Sequence, residues 1–345
     1  MVNTGPIAVL GAGSWGTAVA ASLARHDGQV RLWARDPEVA AAIVGGQNPR
    51  YLKDAALPSG IDASSDLEET VRDATTIVLG VPAAATADIV DRVVALTGSD
   101  VDWVLLAKGL ERGTGRRLSQ VVLEHAHATT RHVFALLGPS HAEEVVRGQP
   151  TAIVLAGRPC PERADLQRRL SGPGLRVYTN DDLIGVEIAA AVKNVLAIAA
   201  GLGDGLGLGD NGKGALLTRG VAELARLGVA LGGRRDTFFG LSGVGDVVTT
   251  CLSRHSRNRA LGERIARGET MEESLNSIGQ VVEGVATTKT VVELADARGV
   301  AVPIAHEVAA VLFEGKAPRE ALDDLMQRSL KGEWEDAPPE DDGEA

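Results

Sequence analysis

A lysine within an apolar stretch is the feature of this sequence that most directly suggests chemistry. Lys193 lies in residues 184–201, which are almost entirely apolar and are predicted to form a buried helix. A buried ammonium group is unfavourable unless it is paired or used in a reaction. The chain has seven lysines against 28 arginines, and only lysine can lose its proton at ordinary pH. Lys193 is therefore a candidate proton-transfer group; a lysine that extends to the surface from a helix end is the alternative.

The sequence Gly-Ala-Gly-Ser-Trp-Gly at residues 11–16 indicates a dinucleotide-binding loop. It follows a short apolar strand, opens a helix, and lies about 20 residues before the end of a second strand, which is the context this motif requires. Gly11 permits the tight turn, Gly13 lets the backbone approach a pyrophosphate, and Gly16 lets the helix pack closely on the strand. A structural turn without a ligand is the alternative.

The end of the second strand bears on the choice of cofactor. NAD-specific sites usually place an acidic residue there to bind the ribose hydroxyls, whereas this chain has Ala34-Arg35-Asp36. Arg35 could accommodate a 2′-phosphate, so NADP is favoured and NAD is admitted, with Asp36 available to the ribose. An ordinary surface arginine is the alternative.

Two later glycine-rich segments lead to different predictions, one of a phosphate site and one of a flexible connection. Residues 240–259 place Asp246 in a predicted glycine-rich turn, followed by Ser256-Arg257-Asn258 at a predicted helix start, where donors of this kind suit a phosphate group. A solvated basic turn is the alternative.

Residues 207–214 nearly match a nucleotide-triphosphate loop, but they lack the final hydroxyl and a preceding strand. We expect that segment to be a flexible connection between two helices.

The order of strands and helices predicts an α/β protein with two domains. Strand patterns alternate with helical patterns up to about residue 181, which indicates a doubly wound, mainly parallel sheet of the Rossmann type. The later patterns are helical. We therefore expect a dinucleotide-binding domain at 1–181, an all-helical substrate-binding and catalytic domain at 182–331, and a disordered acidic tail at 332–345.

Composition excludes several classes of protein. The net charge of −11 includes seven acids in residues 332–345, and the remainder at −4 does not resemble a nucleic-acid-binding surface. Two cysteines form no disulfide framework, which is typical of a reducing cytoplasm. No metal-binding pattern is present, and we expect no stretch to be long and apolar enough to span a membrane. The sequence admits a homodimer but does not determine the oligomeric state.

Several motifs in order resemble the soluble NAD(P)-dependent sn-glycerol-3-phosphate dehydrogenases of bacteria. The resemblance runs from about residue 7 to residue 330. The motifs that carry it are GAGSWGT at 11–17, LAKGLE at 106–111, LGPSHAEE at 137–144, VKNVLAIAAG at 192–201, DGLGLGDN at 204–211, SGVGD at 242–246, SRNR at 256–259 and VVEG at 281–284.

This resemblance implies roles for individual residues. It implies that Lys193 is the proton acceptor, with Lys108 and Asp246 beside it in the catalytic site. The cofactor contacts that it implies, beyond the loop glycines, are Ser14, Trp15, Arg35, Lys108, Ala142, Arg257, Val281 and Glu283. The substrate contacts that it implies are Lys108, Gly138, Ser140, Lys193, Asp246, Ser256, Arg257 and Asn258.

The implied reaction is reversible hydride transfer between a nicotinamide and the substrate pair dihydroxyacetone phosphate and sn-glycerol 3-phosphate, which supplies the glycerophospholipid backbone. Two alternatives remain open at this point. One is a related two-domain reductase of the 3-hydroxy-acid or ketopantoate type, and the other is a non-catalytic NADP-sensing protein. The phosphate-binding cluster at 256–258 disfavours the first, and the set of Lys108, Lys193 and Asp246 disfavours the second.

Overall fold

The computed structural model describes residues 5–98, 101–330 and 332–333, and its first half is built on one large sheet. The strands are β1 Ile7–Leu10, β2 Val30–Trp33, β3 Gln47–Asn48, β4 Leu52–Ala56, β5 Ile61–Ser64, β6 Thr76–Leu79, β7 Asp102–Leu105, β8 Val133–Leu137, β9 Thr151–Ala156 and β10 Leu175–Asn180. The helices between them are α1 Ser14–His26, α2 Pro37–Val44, α3 Leu67–Val71, α4 Thr86–Thr97, α5 Leu118–His125, α6 Ala142–Val145 and α7 Pro161–Leu170.

Among the residues described, eight strands form the sheet in the order β10-β9-β8-β7-β6-β1-β2-β5. Neighbouring strands are parallel except for β8 and β9, so the expected mainly parallel, doubly wound sheet is confirmed. Alternate residues of the central strands enter two different apolar clusters, one on each face, because successive side chains of a strand point to opposite sides. Both faces are therefore covered by helices.

In the second half of the chain, the described residues after Asn180 form helices joined by loops, with no strand among them. Its helices are α8 Leu183–Gly205, α9 Asp210–Ala230, α10 Arg235–Phe239, α11 Asp246–Leu252, α12 Arg257–Ala266, α13 Met271–Ile278, α14 Glu283–Arg298, α15 Pro303–Phe313 and α16 Pro318–Met326. A short π-helical turn, Leu241–Gly245, joins α10 to α11. The predicted all-helical second part is confirmed, while the boundary at residue 181 stays a prediction.

Helix α8 belongs to two apolar cores. Val186 and Ala190 pack in the cluster on one face of the sheet, whereas Val192, Leu196 and most later residues pack among the helices. The helix is buried along nearly its whole length, because its apolar residues surround it rather than forming one stripe. The predicted buried helix is thus confirmed, and Lys193 lies where the two cores meet.

Several sequence expectations about elements were wrong or incomplete. The strands β5 and β10 and the hairpin of β3 and β4 were not predicted, because short strands with exposed alternate residues give a weak signal. Asp246 was expected in a glycine-rich turn, but it opens α11 directly after the π-helical turn. Residues 207–214 were expected to be a flexible connection, yet helix α9 already begins at Asp210.

The membrane prediction also needs correction. By length and composition alone, Leu183–Gly205 could cross a membrane, and 89% of its most apolar window is buried inside the protein. Burial of that extent is what the core helix of a globular fold shows.

The predicted acidic tail lies outside the described residues except for residues 332 and 333. The backbone carbonyl of Glu333 accepts a hydrogen bond from Arg219 Nη1 at 3.0 Å.

Candidate active site

The site begins at the carboxyl ends of adjacent parallel strands. Gly11 follows β1, Lys108 follows β7 within three residues, and Gly138 follows β8 directly. Strands β1, β6, β7 and β8 are consecutive neighbours and run in the same direction, so these residues gather at one edge of the sheet. This edge is where open α/β sheets bind ligands.

Lys193 lies against this edge and is buried, with 5% of its surface exposed. Its Nζ donates to Asp246 Oδ1 at 2.9 Å and to Thr250 Oγ1 at 2.5 Å. Asp246 and Thr250 are one helical turn apart on α11, so both face α8, and the Thr250 hydroxyl also donates to Asp246 Oδ1 at 3.2 Å. The alternative of a lysine extending to the surface is excluded by this burial.

Lys108 reaches the other oxygen of the same carboxylate. Its Nζ donates to Asp246 Oδ2 at 2.9 Å, to the Gly138 carbonyl at 2.7 Å and to Ser140 Oγ at 3.1 Å. All three N–H donors of this ammonium group therefore have protein acceptors. The structure thus brings together five predicted site residues, Lys108, Gly138, Ser140, Lys193 and Asp246.

Burial and charge act against each other in this cluster. Burial lowers the pKa of Lys108 to about 8, with the Asp246 carboxylate opposing the shift and the Lys193 ammonium adding to it. Burial alone would raise the pKa of Asp246, but the two ammonium groups outweigh it and hold that pKa below its usual value. The cluster therefore carries two cationic groups around one carboxylate.

A second chain of hydrogen bonds links the elements that hold these groups. Asn194 Nδ2 donates to the Lys108 carbonyl at 2.9 Å, Asn258 Nδ2 donates to Asn194 Oδ1 at 2.9 Å, and the Gly284 amide donates to Asn258 Oδ1 at 3.0 Å. These hydrogen bonds join the segment after β7 to helices α8, α12 and α14 and fix their relative positions. Sequence reasoning missed Asn194 and Thr250; their only signal was proximity in sequence to Lys193 and Asp246.

The residues around the start of α12 differ in how far they are buried. Ser256 is buried and caps α12, because its Oγ accepts from the Arg259 amide at 3.2 Å. Arg257 is exposed, and its Nη1 donates to the Val281 carbonyl at 2.8 Å. The half-buried Glu283 opens α14, and burial raises the pKa of its carboxyl group. The predicted helix start at residues 256–258 is confirmed.

Three observations indicate that the glycine loop could bind a dinucleotide. Helix α1 has no side-chain cap at its first turn, so its amides are not occupied by a protein side chain. A methyl group placed on Gly13 would meet no protein atom within 4 Å, whereas one on Gly16 would lie 2.0 Å from the Gly11 carbonyl oxygen. Within the described residues, the buried Trp15 Nε1 has no hydrogen-bond partner.

Arg35, Asp36 and Ala142 complete the predicted cofactor residues. Arg35 is exposed just beyond β2. Asp36 caps α2, with Oδ1 accepting from the Glu38 amide at 2.9 Å, and its Oδ2 accepts from Arg50 Nη1 at 2.8 Å. Ala142 is buried at the first turn of α6, in the same apolar cluster as the loop residue Ala12.

No group of three or more His, Cys, Asp or Glu side chains that could hold a metal ion occurs among the residues described here. The expectation that the protein needs no metal remains a prediction. Both cysteines in the described part of the chain are free.

Comparison with known proteins assigns the chain to a family. The family model described as NAD-dependent glycerol-3-phosphate dehydrogenase N-terminus matches residues 6–161, and the one described as the C-terminus of the same enzyme matches residues 182–323. A glycerol-3-phosphate dehydrogenase (NAD(P)+) from Chlorobium phaeobacteroides is 48% identical over 330 residues, which cover 95% of this chain and 98% of the relative.

Solved structures agree with the sequence matches. The crystal structure of glycerol-3-phosphate dehydrogenase from Coxiella burnetii superposes with a TM-score of 0.89 at 39% identity, covering 94% of this chain and 100% of the other. Both halves of the chain are thus matched by the same family. The chain belongs to the NAD-dependent glycerol-3-phosphate dehydrogenase family.

Proposed function

We propose that this enzyme catalyses the reversible, NAD(P)H-dependent reduction of dihydroxyacetone phosphate to sn-glycerol 3-phosphate, the backbone of glycerophospholipids. The observation that carries the proposal is the buried pair of lysines on one aspartate at the carboxyl edge of the sheet. The close relatives that bear this enzyme's name support the same activity. A bound nicotinamide would supply the hydride that is added to C2 of the ketone.

Lys193 is the residue we assign to proton transfer. Two of its three N–H donors have partners in the described part of the chain, Asp246 and Thr250, which leaves one for the substrate oxygen. As the carbonyl oxygen gains negative charge, the ammonium group stabilises it and then supplies the proton. In the oxidation direction the neutral amine accepts that proton.

Lys108 and Asp246 support this step in different ways. Because every N–H of Lys108 already has a protein acceptor, this residue contributes charge beside the substrate and not the transferred proton. Asp246 holds the two ammonium groups a fixed distance apart through its two oxygens. Gly138 and Ser140 also accept hydrogen bonds from Lys108 and, in our proposal, line the substrate pocket.

We assign phosphate recognition to Arg257 and Asn258 at the start of α12. An exposed guanidinium at a helix N-terminus provides both a charge and nearby backbone amides for a phosphate dianion. Binding energy from this distant group would orient C2 for reaction. Ser256 contributes by capping the helix that carries both residues.

For the cofactor, we propose that Gly11, Gly13, Ser14, Trp15 and Gly16 bind the pyrophosphate and that Arg35 binds a 2′-phosphate. Ala142, Val281 and Glu283 complete the proposed cofactor contacts, and Arg257 and Lys108 are proposed to contact both the cofactor and the substrate. NADPH is favoured over NADH, because Arg35 is exposed just beyond β2, whereas the Asp36 carboxylate already accepts hydrogen bonds from the Glu38 amide and Arg50. Relative rates with the two cofactors test this preference.

The decisive experiment follows NADPH oxidation in the presence of dihydroxyacetone phosphate, unphosphorylated dihydroxyacetone or ketopantoate. We expect turnover with the phosphorylated ketone and little with the other two. In Arg257→Ala, kcat/KM for dihydroxyacetone phosphate should fall. The loss of a charge-assisted contact should weaken transition-state binding by about 2–4 kcal/mol. An unchanged preference for the phosphorylated ketone in this variant would exclude Arg257 as the anchor.

Four further assignments belong to the same proposal. We place the enzyme in the cytoplasm, because its two cysteines form no disulfide framework. We divide it into domains at residue 181, and we include a homodimer as the simplest assembly to test. Neither nucleic acid nor a membrane is needed for the reaction.

A further inference from the structure

Arg50 lies beside the predicted 2′-phosphate site, although no sequence motif singled it out. Its Nη1 donates to Asp36 Oδ2 at 2.8 Å, and Asp36 directly follows Arg35 at the end of β2. Its guanidinium carbon lies 5.5 Å from the centre of the Tyr51 ring. The side chains of Arg50 and Asp36 are 59% and 39% exposed, so the pair faces solvent.

The segment that carries Arg50 is fastened to the glycine loop. Asn48 is completely buried, and its Nδ2 donates to the Ala12 carbonyl at 3.0 Å and to Thr17 Oγ1 at 2.9 Å. Ala12 lies in the glycine loop and Thr17 in the first turns of α1. A buried amide that holds two such groups fixes the turn after β3, so the position of Arg50 relative to the loop is set by the fold and not by a mobile surface segment.

Breaking the ion pair between Arg50 and Asp36 costs little free energy. An exposed arginine–carboxylate pair contributes little to stability, and Asp36 would retain its contact with the α2 amide if Arg50 turned away. A phosphate dianion is a stronger partner than one carboxylate, because it offers more acceptor oxygens and more charge. Arg50 is therefore held near the site by a weak contact that a 2′-phosphate could replace.

We propose that Arg50 is a second specificity-determining residue for NADPH, donating with Arg35 to the adenosine 2′-phosphate, and that Asp36 sets the strength of this contact by competing for Arg50. This inference rests on the proposed function, because it assumes that the glycine loop binds a nicotinamide dinucleotide. Arg35 and Arg50 approach the phosphate from different elements, β2 and the turn between β3 and β4.

The test measures binding of nucleotide fragments to the full-length protein by titration calorimetry, with adenosine 2′,5′-bisphosphate and adenosine 5′-monophosphate as probes. The two probes differ only in the 2′-phosphate, so the ratio of their Kd values isolates its contribution. In Arg50→Gln we expect this ratio to shift about tenfold against the bisphosphate, the usual scale for a charge-assisted hydrogen bond.

Asp36→Asn provides a change in the opposite direction. Asparagine caps a helix about as well as aspartate but carries no charge, so Arg50 is released while α2 is preserved. We expect about threefold tighter binding of the bisphosphate relative to the monophosphate. Arg176→Gln is the matched control, because Arg176 also lies over a tyrosine ring, that of Tyr178, but on β10 at the far edge of the sheet.

The outcomes separate this inference from the proposed function. An unchanged Kd ratio in Arg50→Gln, or weaker bisphosphate binding in Asp36→Asn, overturns the role of Arg50 and Asp36. The same shift in Arg176→Gln also overturns it, since the effect would then follow from surface charge in general. Failure of the proposed function would appear instead as no ketone-dependent NADPH oxidation by the unmodified enzyme, while the fragment titrations would still report on Arg50.

Discussion

At the scale of single residues, the sharing of Asp246 by two lysines explains why this site suits an anionic substrate. A carboxylate between two ammonium groups leaves one positive charge uncompensated in a buried place. Such a charge is unfavourable in the free protein and becomes favourable when a phosphate ester or a developing oxyanion arrives. The same cost explains why burial lowers the pKa of Lys108.

The first prediction concerns Lys193→Met, which keeps the bulk of the side chain and removes the proton-transfer group. Turnover of dihydroxyacetone phosphate should fall about 100-fold or more, as expected for loss of general acid–base catalysis. Cofactor binding, followed by fluorescence titration, should change little. Lys193→Arg should fail as well, because arginine keeps its proton at all working pH values. Turnover close to normal in either variant would exclude Lys193 as the proton donor.

The second prediction concerns pH and Lys108. With the pKa of Lys108 lowered to about 8, mainly by burial, the cluster should lose a proton near that pH. Because Lys108 contributes charge and not the transferred proton, its deprotonation removes stabilisation of the developing oxyanion, and reduction should slow as pH rises through this range. A profile of kcat/KM for reduction against pH measures this. In Lys108→Gln the transition near pH 8 should disappear; its persistence would assign the titration to another group.

The site residues that sequence reasoning found and those it missed differ in how local their signals are. The glycine loop and Lys193 are recognisable because each is judged against its immediate neighbours in sequence, a strand and helix in one case and an apolar stretch in the other. Thr250 and Asn194 are polar residues within helices, where such residues are common. Their importance depends on contacts with α8 and with the end of β7, which no local pattern encodes.

At the scale of elements, the crossing of α8 and α12 decides where the proposed phosphate anchor, Arg257, lies relative to the proposed proton donor, Lys193. A methyl group on Gly201 would lie 1.9 Å from the Arg259 carbonyl oxygen, and one on Gly262 would lie 2.1 Å from the Ile198 carbonyl oxygen. The two helix backbones therefore touch, and only glycine permits this. The contact brings Asn258 within hydrogen-bonding distance of Asn194.

Glycines also account for an error in the sequence interpretation. The glycine-rich segment before Asp246 was expected to be a turn, because glycine is common in turns. In the structure a methyl group on Gly243 would lie 1.9 Å from the Phe238 carbonyl oxygen, so this glycine is needed for close packing of a helical turn against α10. Composition cannot separate these two uses of glycine, since the difference lies in which backbone approaches it.

The third prediction belongs to the junction of α9 and α15. Glu223 on α9 is buried and accepts hydrogen bonds from the Ile304 and Ala305 amides at 2.9 Å each. Burial nevertheless raises the pKa of Glu223 from 4.5 to about 7. The unfolded chain therefore ionises first, and the free energy of unfolding should fall as pH rises from about 4.5 to about 7, then level off.

Glu223→Gln tests this linkage, because the amide cannot ionise. The variant should lose part of the pH dependence of Tm across that range, even if one amide contact is weakened and Tm is lower at every pH. Arg226 and His306 also act on this carboxylate, so the comparison must be between the slopes of the two proteins and not their absolute Tm values. Equal slopes would show that Glu223 titrates normally in the folded protein.

At the scale of the whole molecule, helix α8 makes the sheet and the helical part act as one unit. Its first turns pack on the sheet face through Val186 and Ala190, and Glu187 on the same helix accepts from the Ser119 amide at 2.8 Å at the start of α5. The rest of the helix forms the centre of the helical core. Lys193, the proposed proton donor, thus lies on the helix that both parts share, which keeps it aligned with the residues at the strand ends.

The last prediction concerns the acidic end of the chain. Residues 332–345 carry seven of the acids behind the net charge of −11 and no basic residue, and the described contact in this region is the exposed hydrogen bond from Arg219 to the Glu333 carbonyl. Removing residues 332–345 should leave kcat/KM unchanged and alter the free energy of unfolding by no more than about 0.5 kcal/mol, as is usual for surface changes. A second truncation that retains residues up to Glu333 is the control, since it preserves the Arg219 contact. If both truncations lowered activity or Tm clearly, the acidic end would have to act on the body of the enzyme; if only the longer deletion did so, the effect would be assigned to the Arg219 contact alone.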